Sequence, residues 1–329
     1  MAKYDIYAVG SALVDTEINV LDEFLVEASI SKGLMTLVDR PRQLELLSRL
    51  RSIEMAQTCG GSACNSVVAA ATLGATTFFS GRVGNDCDGD LYIGDLSDLG
   101  IGYHGTRASD TATGQCLVMV TPDAERTMNT FLGASEQLAY TDIDNNALKQ
   151  SDWLYIEGYL LTDKDRAEVI LKTTAFARAN KIKVALSLSD PFVVASCRDV
   201  LQELIGDGID LLFCNRDEAL AYTGADNINS AAQEIKQFSN GFAITDGASG
   251  ALVCDGRDIF HLPGVETRAI DTNGAGDMFA GAFLYSIVRG YGFDKAAEFA
   301  NYCAAKVVMI FGPRLDRDQL VAIKKKFNL

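Results

Sequence analysis

Trp153-Leu-Tyr-Ile-Glu157, Val184-Ala-Leu-Ser-Leu188, Asp210-Leu-Leu-Phe-Cys214 and Phe242-Ala-Ile-Thr245 are short apolar runs. Segments of helical character separate them: Lys164 to Ala179, Asp199 to Ile205 and a helical stretch up to Phe238. Strands that alternate with helices pair in parallel, because each helix carries the chain back over the sheet. The pattern therefore predicts an α/β fold with a mostly parallel sheet covered on both faces. In such sheets ligands bind beyond the carboxyl ends of the strands. Those ends read Gly158-Tyr159, Ser189-Asp190-Pro-Phe192, Asn215-Arg-Asp-Glu218 and Asp246-Gly247. Glycine and polar residues gather where a site belongs.

Working outward, Ile6-Tyr-Ala-Val-Gly10 reads as a first strand, and the small-residue segment Ser62 to Leu73 reads as a helix capped by Gly74. Two stretches break the alternation: Asp15 to Asp39, and Thr113 to Phe131 with Gln115-Cys-Leu-Val-Met-Val-Thr121. They look like extended strands and turns without partner helices, and are expected to meet as a small β-sheet lid over the carboxyl edge of the main sheet. The expected boundaries are 13–45 and 104–134 for this discontinuous lid, with 1–12, 46–103 and 135–329 forming the large α/β domain. A lid that excludes water suits transfer of a hydrolysable group.

The chemistry concentrates in Asp271-Thr-Asn-Gly-Ala-Gly-Asp277, where a predicted strand ends and a helix opens; Met278, Phe279, Ala282, Phe283, Ser286 and Ile287 continue at helical spacing. Unpaired N–H groups and the helix dipole at Gly274, Ala275, Gly276 and Asp277 favour an anion such as phosphate. A carboxylate beside a phosphate is unfavourable unless it has a task. Accepting the proton of an attacking hydroxyl is the task that fits Asp277. Read alone, the same turn is also an ordinary glycine-rich helix start.

With 329 residues the chain is long enough for a large α/β domain with an appendage. Its net charge of −15, with no basic run longer than Lys324-Lys325-Lys326, argues against nucleic acid as the main partner. No leader-like segment and no apolar run of bilayer length is evident, so a cytoplasmic protein without a membrane partner is expected. The eight cysteines form no C-x-x-C pair, and His104 and His261 lack ligand-spaced partners. Buried free thiols are expected, and a zinc site or a serine–histidine triad is not.

Five features occur in order: Gly60-Gly61-Ser-Ala-Cys-Asn65, Gly84-Asn-Asp86-Cys-Asp-Gly89, Asn215-x-x-Glu218, Thr245-Asp-Gly247-Ala-Ser-Gly250 and Gly274-Ala-Gly276-Asp277. Together they resemble the ribokinase-like (PfkB) family of small-molecule kinases over essentially the whole chain, and within it the adenosine kinases. The resemblance implies ATP-dependent phosphorylation of a primary hydroxyl, adenosine to AMP before other acceptors, with Mg²⁺ and a possible K⁺ requirement. It implies Asp277 as base and the N–H groups of Gly274 to Asp277 as anion hole. Arg126 would be a lid arginine reaching the phosphates. Asn215 and Glu218 would position Mg²⁺ through water at the donor phosphates. Asp15, Gly61 and Asn65 would hold ribose hydroxyls, Ser11 would also lie against the substrate, and Tyr159 and Phe192 would pack on the nucleobase. Thr245, Gly247, Gly250 and Asn301 would lie against ATP. Asp271 and Asn273, with Phe311-Gly312-Pro313, would form a monovalent-cation loop. A monomer or homodimer is implied.

Each of these residues also has a plainer reading. Asn215 and Glu218 fit a strand-end turn and a first-turn glutamate, Asp15 and Asn65 fit turn closure, and Tyr159 and Phe192 fit the core. Ser11 stands where adenosine kinases usually carry Asn, which leaves inosine, guanosine, ribose and fructose as alternative acceptors. A dinucleotide-dependent oxidoreductase is disfavoured because no G-x-G-x-x-G follows the first strand, and a P-loop enzyme because the chain has no Gly-Lys pair. A non-catalytic nucleotide-binding regulator is the remaining alternative.

Overall fold

A computed structural model describes residues 3–50 and 56–328. Its larger sheet has nine strands among these residues. In spatial order they are Ile259–Pro263, Gly250–Cys254, Phe242–Thr245, Leu211–Asn215, Lys183–Ser187, Ser151–Glu157, Tyr4–Val9, Thr77–Ser80 and Gly102–His104. The seven from Phe242–Thr245 to Gly102–His104 run parallel, and the other two close one edge antiparallel. The predicted mostly parallel sheet is therefore present, and the helix Lys164–Ala179 has the expected bounds.

Alternate residues of each strand feed opposite cores, as the two-residue strand period requires. Ile6, Ala8, Tyr155, Ala185 and Phe213 join one buried cluster with Val67, Phe279, Phe283 and Phe299 of the helices Ser62–Leu73, Ala275–Val288 and Phe293–Val307. Tyr7, Val9, Leu154, Ile156 and Leu186 join the other, under Val169, Val193, Leu201 and Ile235. One close approach places the site. A Cβ on Gly281 would lie 2.3 Å from the Ser66 carbonyl oxygen, so only glycine lets Ala275–Val288 pack this tightly on Ser62–Leu73.

The second sheet runs Met35–Leu37, Arg126–Phe131, Gly114–Val120, Leu13–Asn19, Ala56–Gly60. The two stretches expected to form a lid do pair, Leu13–Asn19 lying parallel to Gly114–Val120. Two expectations need correction. The lid is not without helices: Asp22–Glu27 and Arg40–Leu50 cover one face, burying Leu25, Leu46 and Leu50 against Ile18, Leu117 and Met119. All seven residues of Gly114–Val120 are buried, so this strand needs cover on both sides. Ala56–Gly60, placed by the expected boundaries in the large domain, pairs antiparallel with Leu13–Glu17 and completes the small sheet. Arg40–Leu50 likewise runs across the expected boundary at 45/46.

Candidate active site

The lid's other face and the carboxyl ends of the main sheet enclose a cavity of about 570 Å³, within the range of small-molecule sites. Ser11, Asp15, Gly61, Asn65, Arg126, Tyr159, Phe192, Asn215, Glu218, Thr245, Asn273 and the turn Gly274 to Asp277 all line it. Residues named from separate motifs are thus brought to one place. Gly247, Gly250 and Asn301 are not among its lining residues. Gly250 turns the chain at φ +100°, and Asn301 donates its amide to the carbonyls of Leu262 and Pro263 at 3.5 and 3.4 Å, tying its helix to the edge strand.

Gly274 is the N-cap of Ala275–Val288, in the left-handed region at φ +71° and without a side-chain cap on that helix. A Cβ there would strike Pro313 at 2.4 Å, whereas a Cβ on Gly276 would meet nothing within 4 Å. The first glycine is needed by the turn, and the second opens onto the cavity. An uncapped helix start facing open space is an anion-binding arrangement.

Asp277 lies in the first turn of this helix, one turn before Gly281, just as Ser62 lies one turn before Ser66 on the partner helix. The glycine contact therefore sets the carboxylate against the other helix. Ser62 Oγ donates to its Oδ1 at 2.7 Å, and Asn65 Nδ2 reaches its Oδ2 at 3.4 Å. Burial pushes the Asp277 carboxyl up, while Ser62, Arg126, Asn65 and Arg314 pull it down, with a net rise. A carboxylate held this way is a poised proton acceptor.

Arg126 reaches across from the lid and donates Nη1 to Asn273 Oδ1 at 3.1 Å. Asn273 in turn donates Nδ2 to Glu17 Oε1 at 3.0 Å, so one amide joins two lid side chains to the anion turn. Asp271, fully buried, accepts N–H groups from Asn273 at 2.8 Å and Gly312 at 2.9 Å and binds the turn to the loop that follows the last large helix. Asn215 and Glu218 form a capping box: Asn215 Oδ1 accepts the Glu218 N–H at 2.8 Å and Glu218 Oε2 accepts the Asn215 N–H at 3.0 Å. The plain turn-and-cap reading is present, and both residues also line the cavity. Burial pushes the Glu218 carboxyl up to about 7, with Asp190 and Asp217 adding to the rise.

Beside Asp277, across the Asn65 amide, burial likewise pushes Asp15 up to about 7, against the pull of Arg314. The Ser11 hydroxyl is buried with no partner among the described residues. Gly61 sits at φ +92°, and a Cβ there would lie 2.2 Å from the Ser11 carbonyl oxygen. Phe192 is 67% exposed at the cavity mouth, so it is not a core residue, and Tyr159 is half-buried with its hydroxyl donated to the Ser189 carbonyl at 3.2 Å.

Several lining or supporting residues escaped the sequence reading. Glu157, buried at a strand end, accepts the N–H groups of Ser11 at 2.7 Å and Ala63 at 2.8 Å. It locks the first strand's exit to the start of Ser62–Leu73; a polar residue closing an apolar strand was the available signal. Glu17 and Arg314 are the others. Among the described residues no three His, Cys, Asp or Glu side chains form a metal cluster, all eight cysteines are free, and no helix is long and apolar enough to cross a membrane.

A buried carboxylate at an uncapped helix start, faced by a lid arginine across a cavity on a mostly parallel sheet, is an arrangement that suits a small-molecule kinase. Residues 31–319 match the pfkB family of carbohydrate kinases. The fold superposes on adenosine kinase from Sinorhizobium meliloti with a TM-score of 0.92 at 31% identity, covering 99% of this chain and 100% of that one. It superposes equally on a probable sugar kinase from Rhizobium etli, with a TM-score of 0.93 at 31% identity over 100% and 99% of the two chains. Adenosine kinase from Saccharomyces cerevisiae is 24% identical over 335 residues, 95% of this chain and 97% of the yeast protein. The chain belongs to the pfkB family of carbohydrate kinases and is an ATP-dependent kinase.

Proposed function

We propose that this kinase phosphorylates the primary hydroxyl of a nucleoside, with adenosine converted to AMP. The observation that carries the reading is a single cavity in which the uncapped helix start and Asp277 stand beside the unpartnered Ser11 hydroxyl, Asp15 and Gly61, with the Asn65 amide between the two carboxylates and the exposed Phe192 ring and Tyr159 at the mouth. Asp277 takes the proton of the acceptor hydroxyl as its oxygen attacks the γ-phosphorus of ATP, and ADP leaves. Phosphoryl transfer needs positioning and electrostatic stabilisation more than covalent chemistry, and Arg126 with the helix start supplies positive potential where charge gathers. Asp15, Gly61 and Asn65 frame the sugar hydroxyls. Thr245 faces the donor, and Gly247, Gly250 and Asn301 shape the turn and strand behind it.

Asn215 and Glu218 fit a hydrated Mg²⁺ at the donor phosphates. Glu218 faces the cavity with its carboxyl pushed up to about 7 by burial, so a cation nearby would restore its charge. When bound, Mg²⁺ neutralises charge on the transferring phosphoryl group. We extend the reading to K⁺ activation beside Asp271 and Asn273, whose buried bonds couple the anion turn to the Gly312 loop. Replacing K⁺ with a large organic cation is expected to lower turnover, and unchanged turnover would remove this part.

A sugar acceptor is the second reading. Ser11 is shorter than the Asn expected there, and the probable sugar kinase from Rhizobium etli is as similar in fold as the adenosine kinase. ADP release measured with ATP and Mg²⁺ against adenosine, inosine, guanosine, ribose and fructose decides. Turnover on adenosine with little on the sugars is expected. Turnover on a sugar alone would leave Tyr159 as a packing residue and Phe192 as an exposed ring without a nucleobase to cover, and silence on the whole panel would favour a non-catalytic nucleotide-binding regulator.

A further inference from the structure

Arg314 does not line the cavity, yet its half-buried guanidinium is bonded to Asn65, the partner of Asp277. Its Nε and Nη2 donate to Asn65 Oδ1 at 3.1 and 2.9 Å. The remaining donors go to strand Ala56–Gly60, where Nη1 and Nη2 reach Cys59 Sγ at 3.4 Å and Nη2 also meets the Cys59 carbonyl. Neither Arg314 nor Cys59 lines the cavity, and bonds to Asn65 on one side and Cys59 on the other hold the planar fork in one orientation.

An amide has one oxygen and one nitrogen, and a guanidinium can only donate. Two guanidinium donors therefore dictate which end of Asn65 is the oxygen. The NH₂ group is forced the other way, toward Asp277 Oδ2 and the Asp15 carboxyl. Without the arginine, a half-turn of the amide would set an oxygen against two carboxylates. With it, Asp277 has a donor on each oxygen, Ser62 on one and Asn65 on the other.

Resting on the reading of Asp277 as base, we infer that Arg314 is a positioning residue for phosphoryl transfer: by fixing the Asn65 amide it orients the Asp277 carboxylate and holds it ionised. The charges around Asp277 explain why such help is needed. Carboxylates of Asp15 from the lid and Glu157 from the main sheet face it, as do the phenols of Tyr155 and Tyr159, and Arg126 and Arg314 oppose them. Burial raises the Asp277 carboxyl, and Arg314 is one of the groups that lower it.

The test is the pH dependence of kcat and KM in the full chain for Arg314→Met, Arg314→Lys, Asn65→Ala and the double variant Arg314→Met/Asn65→Ala, with Asp277→Asn alongside. Loss of an opposing charge and a fixed donor is expected to move the acid limb of kcat upward by about one pH unit, lowering turnover on that limb about tenfold. Arg314→Met should shift the limb further than Asn65→Ala, because it removes the charge together with the fixed donor, and the double variant no further than Arg314→Met, because the donor link is already cut. Arg314→Lys keeps the charge without the fork and should shift it less. If Arg314→Met does not fold, Arg314→Lys and Asn65→Ala carry the test. A limb that superimposes on the parent in folded Asn65→Ala or Arg314→Lys, or shifts that add in the double variant, would overturn the inference. Asp277→Asn separates the two levels. Turnover surviving in it defeats the base reading, whereas a dead Asp277→Asn beside unshifted Arg314 and Asn65 variants defeats only the relay.

Discussion

The floor of the cavity and its lid are held by different kinds of bond. On the floor, backbone groups dominate: Glu157 accepts two N–H groups, Asp271 accepts two, and Asn215 and Glu218 cap each other. These bonds form with the fold and need no ligand. The lid meets the anion turn through side chains alone, and both contacts, from Glu17 and Arg126, converge on the amide of Asn273. Two bonds to one amide are easily exchanged for bonds to a phosphate. On the proposed reading of Asp277, the floor would orient the base and the lid would complete the site.

Two substitutions probe that division. Asp277→Asn, on the floor, removes the proton acceptor while keeping the shape of the carboxyl. Turnover is expected to fall about 10²–10⁴-fold with KM for both substrates little changed, as steady-state kinetics would register. Near-normal turnover would end the assignment of the base. Arg126→Ala, on the lid, should lower kcat by about 10²-fold, the scale for one electrostatic stabiliser lost, and raise KM for ATP as well. If it changed neither constant, the lid arginine would be only a tie to Asn273, and closure would contribute nothing to the transition state.

The same two regions differ in how far the sequence discloses them. The alternation from Trp153 to Thr245 places the sheet, and the turn Asp271 to Asp277 places the helix start and the carboxylate proposed as base, because periodicity and glycine turns are local signals. Ser62–Leu73 is legible for the same reason, down to its left-handed cap at Gly74. The lid is legible only as extended chain. Its helix Asp22–Glu27 spans six residues and has no side-chain cap, so neither period nor terminus announces it. Arg40–Leu50 did carry a signal, with Gln43, Leu46 and Leu50 buried at three- and four-residue spacing. Arg314 is the extreme case. It lies in an irregular segment, and its partner Asn65 is 249 residues away in the chain. No local pattern encodes such a pair; only the packing of Gly281 on Ser66 and the path of the Gly312 loop bring it about.

The smallest expected effect sharpens the comparison most, because it isolates the charge of the lid contact from its geometry. Glu17 is buried beside Asp15 and Asp271, and burial first, then these neighbours, push its carboxyl from 4.5 to about 7, although the Asn273 amide and Arg314 pull the other way. A folded-state value raised above the unfolded one means that the fold favours the protonated form. That contribution is intact below about pH 4.5 and is lost as pH rises through about 7. The ligand-free protein should therefore lose stability between about pH 5 and pH 8. Glu17→Gln keeps an oxygen to accept the Asn273 Nδ2–H while deleting the charge. It should flatten that part of the slope and gain on the order of 1 kcal/mol at about pH 8, read from urea unfolding at each pH. An unchanged slope would mean that the lid relaxes to hydrate Glu17 before the charge is felt. The lid would then be opening within the native state, while Asp277 on the floor would still titrate as a buried group.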